Sequence, residues 1–194
     1  MRMASTMASL FVVAGFGSSA RADPDEADQP HLIFDMGVVL RRLGPVQPTD
    51  IARTTTPLPP NVQQREAIAY VHRGGIELPY GIYGVVEGEV GNLVGIDSDK
   101  PSNPQTMLGG FVAAGYRLRL GGLVAGAELA SGVVFSPSTT SSTWLASQGE
   151  VEARGFLALQ LNRYYALGAI AGESLLRDDA WMMGIAFEVR VPDE

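Results

Sequence analysis

The chain has no cysteine and a single lysine, Lys100, in 194 residues. Without cysteine there are no disulfide staples, thiol nucleophiles or cysteine metal sites. Histidine is scarce too: His31 and His72 lie far apart in sequence, a poor start for a metal centre. No uninterrupted run of roughly 20 apolar residues exists, the length a membrane-spanning helix requires. The best region, MLGGFVAAGYRLRLGGLVAGAELASGVVF (107–135), is broken by Arg117, Arg119 and Glu128. It is also dense in glycine, which costs about 1 kcal/mol at each helix-interior position. Positive charge is in deficit. Residues 1–22 hold Arg2 and Arg21 and no acid, leaving 12 basic against 21 acidic residues from Asp23 onward. That balance excludes a nucleic-acid partner, which needs a basic patch. No G-x-S-x-G elbow, P-loop, H-E-x-x-H or N-x-S/T motif occurs.

The start, MRMASTMASLFVVAGFGSSARADPDE, reads as an export signal over residues 1–22. Arg2 supplies the basic end, Leu10 to Phe16 the apolar centre, and Ala20-Arg21-Ala22 the small-residue cleavage site. Residues 23–30 then form the mature N-terminal segment.

Alternation is abundant. In WMMGIAFEVRV, Trp181, Met183, Ile185, Phe187 and Val189 oppose Met182, Gly184, Ala186, Glu188 and Arg190. In MLGGFVAAGYRLRL, Leu108, Val112, Ala114, Tyr116 and Leu118 oppose Arg117 and Arg119. Period two places one set on each face of a strand. Eight strands are expected, at 31–43, 66–77, 79–94, 107–119, 121–135, 149–162, 165–177 and 180–191. The stretch 62–73 suits a helix nearly as well. Long polar connections follow strands one, three and five, and tight turns follow two, four and six. The long loops therefore gather at one end of an antiparallel up-and-down sheet. Proline-rich 45–60 and STTSST read as solvated loop rather than as a polyproline ligand or a glycosylated stalk.

In strand register, one face carries Asp35, Glu77, Glu87, Glu89, Glu128, Glu152 and Glu188 against Arg41, Arg73, Arg117, Arg119, Arg154 and Arg190. Sparse, balanced and spaced by glycine and alanine, this set suits a narrow lumen where arginine forks pair carboxylates. Aromatics sort by height: Phe34, Tyr80, Tyr116, Tyr164, Tyr165 and Phe187 near the tight turns, Phe135, Trp144 and Trp181 near the long loops. Two such girdles fit the interfaces of a bilayer. An arginine facing mid-bilayer lipid costs roughly 2–4 kcal/mol. Half of thirteen such charges would outweigh the roughly 5–15 kcal/mol that holds a domain together. The charged face must therefore point inward. The expected fold is all-β, an antiparallel up-and-down transmembrane β-barrel of about eight strands over residues 31–192. Eight strands leave room only for side chains, so an open pore is not expected.

With signal, alternation and loop asymmetry assembled, the chain resembles the small eight-stranded outer-membrane β-barrel proteins, the group of the outer membrane protein A and X type membrane domains. The resemblance lies in pattern over residues 31–192 and implies the cell outer membrane, lipid as partner, and an anchoring, structural or surface-interaction role. It also implies a terminal aromatic closing the last strand; here Phe187 is followed by EVRVPDE. No catalytic, cofactor or metal residue is expected, and a single copy is assumed. The alternatives are a soluble periplasmic lipocalin-like barrel for an apolar ligand, a small gated channel, and a lipid-modifying enzyme with His72 and a loop Ser or Asp at the rim. Glu87 with Glu89, or Glu152 with Arg154, as acid–base pairs give way to a structural network, since opposite charges hold carboxylates ionised.

Overall fold

The computed structural model describes residues 30–44, 65–94, 106–137 and 144–191. The expected export signal and most of the three long loops, including 45–60 and STTSST, lie outside the described residues.

Eight strands form: β1 (His31–Leu43), β2 (Arg65–Glu77), β3 (Ile82–Val94), β4 (Thr106–Leu120), β5 (Leu123–Pro137), β6 (Trp144–Gln160), β7 (Tyr165–Ser174) and β8 (Trp181–Val191). Each pairs antiparallel with its chain neighbours, and β1 pairs with β8 from Leu32↔Val191 to Arg42↔Trp181, closing the barrel. Closure leaves no strand edge unpaired. Because direction alternates, the connections after β1, β3, β5 and β7 share one end, and the tight turns share the other.

The stretch 62–73 resolves as strand from Arg65. Ala67, Ala69 and Val71 are buried inside while Ile68 and Tyr70 are exposed outside, a two-residue period no helix could satisfy. Strand three starts at Ile82 rather than 79, because Pro79–Gly81 forms a single 3-10 turn with Tyr80 at φ 66° and Gly81 at φ 82°. Gly121 at φ 63° makes a two-residue turn with Gly122, so β5 starts at Leu123 rather than 121. In the third tight turn the Asn162 side-chain oxygen accepts from the backbone N–H groups of Tyr164 (2.8 Å) and Tyr165 (3.0 Å). Strand six begins at Trp144 rather than 149, since β5 runs to Pro137 and supplies partners as far as Trp144. Strand seven ends at Ser174 rather than 177. There the Ser174 hydroxyl accepts from the Leu176 N–H at 3.3 Å and the chain bends toward β8.

The side-chain distribution is inverted relative to a water-soluble barrel. Outside, Val86, Leu129 and Ile185 are 60 % or more exposed; inside, Glu89 is 1 % and Arg154 3 % exposed. Inward apolar residues such as Ile33, Val71, Met107, Val134 and Met182 pack around the ionic groups rather than excluding them.

Candidate functional site

The lumen holds an ionic network that climbs the barrel in layers. Near the tight turns, Arg117 meets Glu188 in a close ion pair and faces Glu77 at 3.8 Å and Asp35 at 3.9 Å. Arg119 grips Glu77 at 2.5 Å, and Arg190 contacts Glu188 at 3.1 Å. At mid-height, Arg154 donates a fork to Glu87 (2.7 and 2.9 Å) and further bonds to Glu152 (2.8 Å) and Glu128 (3.2 Å). Glu128 also accepts from Arg73 and from the Tyr83 hydroxyl, each at 2.5 Å. Above this, Arg41 donates a second fork to Glu89 (2.9 and 2.6 Å) and bonds to Glu152. Highest is Glu150, paired with Arg177 at 2.8 Å and accepting from the Ser174 hydroxyl at 2.7 Å.

All thirteen charged residues expected in the lumen face inward, eleven of them buried and Arg119 and Arg190 partly exposed. Sequence reading missed Glu150, whose parity matches Glu152, and Arg177, which belongs to a bend and has no strand parity to betray it. Tyr83 and Phe156 share the parity of the charged residues, and Phe111 joins them in the lumen. The rings of Tyr83, Phe111 and Phe156 act as platforms between guanidinium groups. Arg117 stacks on Tyr83 (4.4 Å) and Phe156 (5.0 Å), while Arg41 and Arg154 both lie 4.9 Å from the centre of Phe111. Cation–π attraction strengthens as such groups are desolvated. The bulk of Phe111 fits because Gly132 lies beneath it, where a Cβ would stand 2.6 Å from the ring.

This arrangement leaves little for acid–base chemistry. Both oxygens of Glu87 and both of Glu89 are taken by arginine forks. A void of about 30 Å³ lies among Asp35, Arg73, Arg117, Phe156 and Glu188, beside an Asp35 oxygen that has no protein donor. It has room for a water or two.

His31 opens β1 opposite Glu77, whereas His72 pairs with Met36 farther along the same two strands, so the two imidazoles do not converge. Among the described residues no group of three His, Asp or Glu is placed to hold a metal ion. His72 faces the outside of the barrel from the middle of β2, not a rim. Its cross-strand neighbours Met36 and Gly88 supply no nucleophile or acid, which removes the basis for a rim triad at this residue.

Outside, Phe34, Tyr80, Tyr116 and Tyr165 are exposed near the tight turns, and Tyr165 stacks on Phe187 at 5.6 Å. Toward the long loops stand Phe135 and Tyr70, the latter 66 % exposed, with half-buried Trp181. The backbone of Trp144 opens β6 at that end. Among the described residues no helix is long and apolar enough to cross a membrane; most of the exposed apolar residues belong to strands.

No protein-family model matches the chain, and no curated protein matches it. Among solved structures it is similar to Neisserial surface protein A, with a TM-score of 0.52 at 9 % identity over 84 % of this chain and 99 % of that one. It is also similar to Ail, the attachment invasion locus protein of Yersinia pestis, solved with the heparin analogue sucrose octasulfate. That similarity has a TM-score of 0.42 at 12 % identity, over 82 % of this chain and 99 % of the other. The fold is that of the small eight-stranded outer-membrane barrel, the architecture the sequence resembles.

Proposed function

We propose that the chain is an integral outer-membrane β-barrel, exported by residues 1–22, that anchors the connections 44–64, 95–105 and 138–143 at the outer surface for a structural or surface-interaction role. One observation carries this reading: the barrel buries its ions and exposes its aliphatic side chains. Monomeric soluble proteins seldom expose a continuous apolar surface larger than a few hundred Å². Here it encircles the barrel between two sets of aromatic residues, and a bilayer rewards that pattern. The closed ladder also satisfies the backbone polar groups that lipid cannot. The lipocalin-like alternative needs the opposite interior, an apolar one open to a ligand, and arginine–carboxylate forks occupy that space. The same forks and their aromatic platforms argue for a lumen filled by side chains, and for a role other than catalysis.

Membrane fractionation combined with a gel run before and after boiling tests this. Expected are recovery with outer membranes and a band that shifts on heating. A pool released by osmotic shock, with mobility unchanged by boiling, would overturn it.

A further inference from the structure

His72 breaks the polarity of the outer wall. Most other polar side chains facing outward, Arg42, Glu66, Asn92, Thr106 and Glu173, sit at the long-loop ends of their strands. Ser131 lies deeper, and a serine hydroxyl can bond back to local backbone. His72 stands five residues above Glu77, the tight-turn end of β2. At about 3.3 Å per residue and a tilt near 40°, that is about 12 Å up, the middle of an apolar band about 25 Å tall. Its outward neighbours are Tyr70 and Gly74 along the strand, and Met36 and Gly88 across it, with Gly110 beyond Gly88. A Cβ at Gly88 or Gly110 would meet nothing within 4 Å, so the wall beside His72 is a shallow depression floored by backbone.

On the membrane reading above, an imidazole at this depth has neither water nor a protein partner on its own barrel, and an unpaired polar group in hydrocarbon is costly. A neutral imidazole has one donor nitrogen and one acceptor nitrogen, so it is complementary to another imidazole. Two barrels inserted in the same sense are related by an axis along the membrane normal, so each side chain meets groups at its own height. Glycine at the contact lets backbones approach closely, as it does between membrane helices. We propose that the β2–β3–β4 wall around His72 is a two-fold interface within the bilayer with a second copy of this chain. The His72 N–H of one copy donates to the bare ring nitrogen of the other. The single copy assumed from sequence thereby becomes a pair.

The cysteine-free chain makes the test clean. Tyr70→Cys places one thiol beside an intact His72; Ala153→Cys places one on β6, the opposite wall. Oxidised in native membranes, Tyr70→Cys should give a dimer band about tenfold stronger than Ala153→Cys. Adding His72→Phe should weaken association about tenfold, the scale of one hydrogen bond in apolar surroundings. A barrel that fractionates with the membrane and shifts on heating, yet cross-links equally at both sites or ignores His72→Phe, overturns the interface and leaves the membrane reading intact. A chain absent from the membrane fraction overturns both.

Discussion

Arg154 touches Glu87, Glu128 and Glu152 and lies over Phe111, so one guanidinium bridges three carboxylates drawn from β3, β5 and β6. Arg154→Ala would take the fork from Glu87 and one arginine contact each from Glu128 and Glu152, all of them buried. Removing one partner of a buried ion pair costs about 3–5 kcal/mol. The variant is therefore expected to lose its heat-shifted band at a clearly lower urea concentration in detergent micelles. A midpoint within experimental error of the parent would mean that the network contributes nothing. The residue's inward direction was legible, because Arg154 shares the parity of Glu152. Its partners were not, since parity says which face a side chain takes and nothing about which strand confronts it across a lumen.

At the scale of one strand, β8 carries the clearest record of its surroundings. Ile185, 63 % exposed, pairs with Val38 on β1 and Ala169 on β7, giving an outward patch without a polar atom in its side chains. In lipid, Ile185→Arg is expected to cost roughly 2–4 kcal/mol. Urea titration in lipid vesicles measures this, and a loss near zero would place that face in water. All eight strands were expected, although 62–73 suited a helix nearly as well until burial showed its two-residue period. Strand ends were less legible, for reasons particular to each. Pro79 lacks an N–H, and Tyr80 and Gly81 take positive φ, which halts the ladder before Ile82. At the other end of the barrel β6 keeps pairing as far as Trp144, through a stretch whose composition reads as loop.

For the whole molecule, eight strands enclose a lumen only as wide as its side chains. With arginine forks and three aromatic rings across it, planar bilayers containing the protein are expected to show no defined conductance steps. Regular unitary steps at low protein concentration would show that the ionic layers part. The sequence alone determined the sorting of side chains into two faces, because strand periodicity is a local property of the chain. It also determined which end carries the long loops, because direction alternates from strand to strand. Only the tertiary structure decided which charges meet: Arg41 and Glu152, 111 residues apart, become partners through the register and curvature of the closed sheet. The same closure put Tyr83, Phe111 and Phe156 among the guanidinium groups and set His72 at mid-height on an apolar wall. Height and opposition in a barrel arise from strand tilt and pairing summed around the circumference, and no single segment encodes that sum.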